Sequence, residues 1–233
     1  MLIVLQAILY LAVLCCVLGS AGRLLVYLRS ADRLRMPVTP APTTRLAVLG
    51  RLLAETFLFT SLFRADRLAW VLGWTFHVTL LWVLIEHLAF VFGWWPVPVR
   101  WLVSLGTPLP WLLLGALLGL WLRRLLVERV RHVSTATNHL QLAVLAALVV
   151  SGMLVRDWGL AHRWPARQFL QTLTELRWFD VSSRPSSAEV RGYTVFVLHL
   201  LFAALLIAIY PFSKLFHGIA LWMMPTRNQR DAP

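Results

Sequence analysis

Four histidines of this chain lie within or at the end of long apolar stretches, where ionisable side chains are rare. They are His77, His87, His199 and His217. Ionisable residues inside a membrane are costly, and by default they mark a functional site. Neutral imidazole is also a common metal ligand in proteins. These four positions are therefore the candidate ligands of a metal-containing group.

The composition indicates that much of the protein surface faces lipid. Of the 233 residues, 59% are hydrophobic and 14% are charged, whereas a soluble domain has about 25% charged residues. The net charge of +12 comes from basic residues that flank apolar stretches. They form no basic patch interleaved with aromatic residues, so nucleic acid is not expected as a partner. Two adjacent cysteines, Cys15 and Cys16, are too few for an iron–sulfur cluster, which needs about four.

Five apolar segments predict five transmembrane helices, because one span needs about 20 apolar residues. The predicted spans are about 2–27, 68–95, 101–122, 138–155 and 193–212. The first lacks the basic start of a secretory signal, which predicts a retained helix. The fold class is therefore all-α, with residues 1–233 forming one membrane-embedded domain. Residues 45–64 are predicted to form a helix on the membrane surface or to continue into the second span.

The distribution of basic residues predicts the orientation. Segments 28–67, 123–137 and 213–233 share one side and hold 14 basic residues, whereas the opposite side holds seven. The positive-inside rule makes the richer side cytoplasmic. The N-terminus is therefore predicted outside and the C-terminus in the cytoplasm of a multi-pass protein of the cytoplasmic membrane.

This topology pairs the four histidines across two antiparallel spans. His87 and His199 form an outer pair, and His77 and His217 form an inner pair. The eighteen-residue gap in the fifth span corresponds to about five helical turns, so its two histidines are predicted to share one face. A structural zinc site needs about four converging ligands. Two haems, each held by two imidazoles, fit the pairs better, and such closed coordination favours electron transfer over oxygen binding.

The segments around these histidines resemble a known family, the respiratory nitrate reductase gamma subunit. Its last helix is similar to the stretch from Phe196 to His217, and its second helix to the stretch from Phe76 to Leu88. The segment from Glu55 to Arg64 is closer to a sister branch linked to dissimilatory sulfite reduction, which has a heterodisulfide-reductase-like partner. The resemblance covers about 45–225.

The resemblance implies a cytochrome b with two haem b groups. Such a subunit exchanges electrons between membrane quinone and a cytoplasmic iron–sulfur partner, without a terminal substrate site of its own. By this analogy His77 and His217 bind the inner haem, and His87 and His199 bind the outer one. The family has a lysine near its quinol site, but the corresponding stretch here, Thr107-Pro108-Leu109-Pro110, has none. The residues of the quinone site therefore cannot be carried over.

Glu86, beside one of the candidate ligands, is the one acidic residue deep in a predicted span. One interpretation makes it a proton acceptor for quinol; the other has it satisfied by an arginine such as Arg100 or by water. A different class of function also remains open. In a transporter or proton channel, His77, Glu86, His87 and His199 would form a relay. A purified protein with b-haem absorption bands favours the cytochrome, and a colourless one favours the transporter.

Overall fold

The structure, a computed structural model, describes residues 2–30, 40–92, 108–157, 166–178 and 190–230. Every regular element in these ranges is helical. In chain order the helices are α1 (Leu2–Ser30), α2 (Arg45–Phe57), α3 (Thr60–Ala65), α4 (Arg67–Phe92), α5 (Leu109–Leu126), α6 (Glu128–His132), α7 (Ala136–Asp157), α8 (Ala166–Thr174), α9 (Val190–Ile209), α10 (His217–Met223) and α11 (Pro225–Asn228).

Within these ranges, five helical segments are long and apolar enough to cross a membrane. They are α1, the part of α4 from Arg67 to Leu88, α5, α7, and the segment Tyr193–Phe212. The prediction of an all-α protein with five spans is confirmed. The bounds of the fifth span agree with the prediction, whereas α5 continues past Arg123 and Arg124 to Leu126. The predicted span residues 93–95 and 101–107 lie outside the described ranges.

Large apolar side chains on these spans point away from the protein interior. Leu11 is 65% exposed, Leu18 is 62% exposed and Leu81 is 57% exposed. Exposure of so many large apolar side chains to water is unfavourable, because apolar surface costs roughly 25 cal/mol per Å². The chain is therefore a multi-pass membrane protein whose spans contact lipid.

The chain forms two compact units. The first comprises Met1–Ala12 and Thr75–Leu206, and the second comprises Val13–Trp74 and Ile207–Pro233. His77, His87 and His199 belong to the first unit, whereas His217 belongs to the second. The single domain expected from the sequence stays a prediction.

In the second unit, the segment predicted as one helix over 45–64 is two helices with a sharp turn between them. Phe59 at the turn has a φ of 51°, a left-handed conformation that is unfavourable for a residue with a side chain. The turn brings Glu55 of α2 to the start of α3, where its carboxylate accepts hydrogen bonds from the Thr60 hydroxyl (2.8 Å) and the Ser61 hydroxyl (2.5 Å). Arg227 of α11 forms an ion pair with the same carboxylate at 3.2 Å.

This carboxylate network predicts a pH-dependent stability. Burial raises the pKa of Glu55, but hydrogen bonds from Ser61 and Thr60 and the charge of Arg227 outweigh it, so the pKa lies below the ordinary 4.5. A depressed folded-state pKa stabilises the protein above the unfolded-state value, and this stabilisation is lost as the pH falls through the folded-state pKa. Glu55→Gln is expected to lower the free energy of unfolding by about 1–3 kcal/mol at pH 7. The loss should shrink in acid, as measured by thermal unfolding in detergent.

Glu175→Gln is the matched control for this prediction. Glu175 also pairs with an arginine, Arg177, but its side chain is 54% exposed, against 12% for Glu55. Exposed ion pairs contribute little, so this variant should unfold like the wild type. Equal stability of Glu55→Gln and the wild type at pH 7 would contradict the prediction.

The fifth span breaks before His217. Helix α9 ends at Ile209, and two short 3-10 turns follow, Tyr210–Phe212 and Lys214–Phe216. Pro211 has no N–H and cannot continue the helical hydrogen bonds, and Ser213 between the turns is extended, with φ −112° and ψ 173°. A regular helix of about five turns from His199 to His217, on which the predicted shared face rests, is therefore not present, and the shared face stays a prediction. The rise and rotation of an α-helix cannot be extrapolated across this break.

Arg23 of α1 satisfies backbone groups that this break exposes. Its Nη1 donates to the carbonyl oxygens of Pro211 (2.7 Å) and Ser213 (3.1 Å). The approach is close at Gly19, where a Cβ atom would lie 2.7 Å from Cγ of Pro211. The close approach favours a glycine on this face of α1, and the arginine adds hydrogen bonds to two carbonyl oxygens of the turn.

In the first unit, the short helix α8 packs under the start of α1. Phe169 of α8 is fully buried and its ring meets Phe196 edge to face at 6.2 Å. Gln6 of α1 is also fully buried, and its Nε2 donates to the carbonyl oxygen of Arg177 at 2.5 Å. This end of the unit is therefore held by buried aromatic contacts and by polar contacts to the chain after α8.

Candidate functional site

His87 and His199 lie close together in the first unit. His87 is on α4 and His199 is on α9, and their ring centroids are 6.1 Å apart with 26° between the ring planes. The two positions are far apart in sequence and were paired from the antiparallel arrangement of the second and fifth spans. The structure brings this predicted outer pair together.

Both rings of this pair have Nδ1 next to a backbone carbonyl oxygen. Nδ1 of His87 lies 2.7 Å from the carbonyl oxygen of Val83, and Nδ1 of His199 lies 3.2 Å from that of Leu148. A carbonyl oxygen only accepts hydrogen bonds, so each Nδ1 must carry the proton and donate it. In the neutral ring, Nε2 then keeps its lone pair. This is the tautomer in which a histidine binds a metal through Nε2 while a carbonyl orients the ring.

Helix α7 supplies two further contacts to His199 that the sequence analysis did not identify. The Ser151 hydroxyl oxygen lies 3.1 Å from Nδ1 of His199. A Cβ atom on Gly152 would lie 3.0 Å from Cε1 of the same ring. The signal in the sequence is weak, because a serine and a glycine in the middle of an apolar span are common. Their role depends on which face of α7 packs against α9, and spacing alone does not give that face.

The predicted inner pair is divided between the two units. His77 is half-buried on α4, with its ring edge to face against Phe76 at 5.1 Å. His217 begins α10, is exposed, and has Nδ1 2.9 Å from the carbonyl oxygen of Lys214. At His217 this again places a proton on Nδ1. The pairing of His77 with His217 stays a prediction from topology and from the family resemblance.

Glu86 is half-buried on α4 and is engaged within its own helix. Its Oε1 accepts a hydrogen bond from Nε1 of Trp82 at 3.1 Å. In the described ranges Oε2 makes no hydrogen bond. Arg100, the other partner considered for this carboxylate, lies outside those ranges. The indole holds one carboxylate oxygen in place, an arrangement that suits an oriented proton acceptor and also a satisfied membrane carboxylate.

Two other histidines have contacts of a different kind. Nε1 of Trp121 on α5 donates to Nδ1 of His139 on α7 at 3.0 Å, so the neutral ring carries its proton on Nε2. His132 is exposed in α6 with Nδ1 2.9 Å from the carbonyl oxygen of Glu128. Within the part of the chain that the structure describes, neither ring stacks against another histidine. They serve as comparison positions for the candidate ligands.

The residues of the outer pair fit a haem iron, which His87 and His199 would hold through Nε2. An imidazole nitrogen binds a metal at about 2 Å, so rings on opposite sides of one ion have centroids roughly 6 Å apart. The observed 6.1 Å agrees with this spacing. Both rings also have the tautomer that leaves Nε2 for the metal. The donor set, two imidazoles in an apolar environment, is one that haem proteins use for electron transfer.

The protein has five apolar helices, and two of them bring a pair of histidines together. This arrangement is typical of membrane cytochromes. The chain belongs to the nitrate reductase gamma subunit family, which it matches over residues 56–230. The match covers the four candidate ligands and the chain from the end of α2 to Arg230, and it confirms the predicted family. The chain is therefore a cytochrome b-like membrane subunit of an oxidoreductase, and it takes part in electron transport.

Two curated archaeal proteins are similar to most of the chain. Both are named Hdr-like menaquinol oxidoreductase cytochrome b-like subunit. The protein from Archaeoglobus fulgidus is 30% identical over 94% of this chain and 77% of its own length. The protein from Archaeoglobus profundus is 31% identical over 91% of this chain and 74% of its own length. These relatives support the sister branch suggested by the segment Glu55–Arg64. No solved structure matches the chain.

Proposed function

We propose that the chain is the dihaem cytochrome b subunit of a quinone-linked oxidoreductase in the cytoplasmic membrane. It transfers electrons between membrane quinol and a cytoplasmic partner that carries iron–sulfur clusters, and the partner is heterodisulfide-reductase-like. The names of the archaeal relatives support menaquinol as the quinol. The observation that carries the proposal is the 6.1 Å separation of the His87 and His199 rings, both with Nδ1 on a carbonyl oxygen.

The residues of the chain have separate roles in this proposal. His87 and His199 hold the outer haem through Nε2, and His77 and His217 hold the inner haem. When bound by two imidazoles, haem would supply a one-electron carrier suited to electron transfer. The backbone carbonyls of Val83 and Leu148 fix the ring orientation of the outer ligands.

Glu86 is the proposed proton acceptor, because oxidation of a quinol releases protons as well as electrons. The carboxylate lies next to His87 in the chain and is oriented by the indole of Trp82. In this role it accepts a proton on Oε2, the oxygen that Trp82 does not engage. In the orientation proposed below, the released proton would leave on the outer side.

The proposed orientation has the N-terminus outside and the C-terminus in the cytoplasm. It rests on the 14 basic residues of the segments 28–67, 123–137 and 213–233, which would face the cytoplasm. The ion pair of Glu55 with Arg227 supports this grouping, because it joins α2 to the C-terminal segment on one side. In this arrangement, α2 and α11 form the surface available to the cytoplasmic partner. The five spans form one membrane-embedded domain.

Membranes that contain the chain offer a direct functional test. Addition of a reduced naphthoquinol is expected to produce the reduced absorption bands of b-type haem, and membranes without the chain serve as the control. A purified chain that is colourless and that carries protons across vesicles would contradict the proposal. That outcome would favour the transporter with a relay of His77, Glu86, His87 and His199.

A further inference from the structure

His199 is held by three groups of α7 that belong to a single turn. The Leu148 carbonyl and the Ser151 hydroxyl contact Nδ1, and Gly152, which has no side chain, lies beside the ring. The Ser151 hydroxyl also donates to the carbonyl oxygen of Leu148 at 3.0 Å. Its single proton is therefore used on the carbonyl, and its oxygen accepts from Nδ1–H of His199. The imidazole proton is shared between two acceptors that are themselves linked.

Gly152 sets how close α7 can come to this ring. A Cβ atom there would lie 3.0 Å from Cε1 and 3.4 Å from Nδ1 of His199. Contacts this short require a neighbour to shift by a few tenths of an ångström. The ring of His199 cannot yield without changing its hydrogen bonds to Ser151 and Leu148. The Ser151 hydroxyl therefore fixes Nδ1 of His199, and the absence of a side chain at Gly152 leaves room for Cε1 of the same ring.

We propose that Ser151 and Gly152 are positioning residues for His199, which fix the plane and the tautomer of the outer-haem ligand from the neighbouring span. This inference rests on the proposed haem ligation by His87 and His199. The structure gives 26° between the two ring planes, and this angle is the property that the two residues control. Hydrogen bonds to the second nitrogen of a ligand histidine orient the ring and tune the metal. The fourth span therefore contributes to the electronic properties of the outer haem without supplying a ligand.

Electron paramagnetic resonance of the oxidised protein tests this role, because the g values of low-spin ferric haem depend on the angle between its two axial imidazole planes. The signal of the outer haem is identified as the one missing in His87→Ala. Ser151→Ala and Gly152→Ala are expected to keep the wild-type haem content and to shift this signal alone. Ser151→Thr keeps a hydroxyl and is expected to restore it. Val150→Ala, which changes an exposed neighbour on α7, is the matched control and should leave the signal in place.

A redox titration of the same membranes provides a second measurement. In Ser151→Ala the ratio of reduced to oxidised outer haem at a fixed ambient potential is expected to change at least threefold, which corresponds to roughly 28 mV for one electron. The inner haem should titrate as in the wild type. Should Ser151→Ala fail to accumulate, Gly152→Ala provides the same comparison.

Two negative results have different meanings. Wild-type g values and potentials in both Ser151→Ala and Gly152→Ala, with both haems present, would overturn the positioning role and leave the proposed function intact. Absence of b-type haem from the wild-type chain would overturn the haem ligation and the positioning role together.

Discussion

Replacing His199 with alanine is expected to halve the haem content, from about two haems per chain to about one. The remaining imidazole, His87, would be a single axial ligand, and the outer haem would lose the second bond that holds it. Electron transfer from quinol to the cytoplasmic partner should be lost, because the outer carrier is missing. The haem content of purified protein, measured as the pyridine haemochrome, gives the number directly. The electron transfer is measured with the partner complex in membranes.

His139→Ala is the matched control for this experiment. His139 also lies on a membrane span, but its Nδ1 accepts a hydrogen bond from Trp121, so its neutral ring has the opposite tautomer to His199. The control should keep both haems. Full haem content in His199→Ala, or equal loss in both variants, would contradict the ligation by His199.

Replacing His217 with alanine is expected to remove the other haem and to leave the outer one. His217 follows the break in the fifth span, and its Nδ1 faces the carbonyl oxygen of Lys214, as expected for a ligand oriented through Nδ1–H. The haem content should again fall to about one per chain. The spectrum should differ from that of His199→Ala, because the two variants retain different haems. Difference spectra of reduced against oxidised protein separate the two cases.

Gly218→Ala provides the control for His217, because it alters the same short helix without a steric clash. A Cβ atom at Gly218 would meet nothing within 4 Å. This variant should bind both haems and transfer electrons at the wild-type rate. Identical difference spectra for His199→Ala and His217→Ala would refute the assignment of the two histidines to different haems.

The number and bounds of the spans could be predicted from the sequence, because lipid requires long apolar segments. Residues 193–212 were predicted for the fifth span, and the structure has Tyr193–Phe212. The break after Ile209 does not follow from the sequence, because the spacing of His199 and His217 predicts a regular helix that runs through Pro211. A proline indicates that a helix is interrupted, but it does not specify the 3-10 turns that follow.

The contacts within the first unit depend on tertiary packing and could not be predicted. Gln6 lies in an apolar span, and its partner is the carbonyl oxygen of Arg177, far along the chain. Helix α8 is too short and too polar to be recognised as a membrane segment, although Phe169 is fully buried. The sequence gives the identity of these residues, but it does not give the residues that they contact in the fold.

The pairing of His87 with His199 could be predicted, because it depends only on the antiparallel order of the spans. Antiparallel spans place His87 opposite His199, and the structure brings their rings to 6.1 Å. The groups that orient those rings were not predictable. Val83 and Leu148 act through backbone carbonyls, which every residue has, and Ser151 and Gly152 act through the rotation of α7 about its axis. The break in the fifth span, after the end of α9, likewise prevents the inner pair from being derived from helical spacing.

The haem content of the purified wild-type chain tests the account most directly. Protein concentration is measured by amino-acid analysis and haem by the pyridine haemochrome on the same sample. The four histidines proposed as ligands predict two b-type haems per chain. A purified chain that is folded and contains no b-type haem would contradict the account.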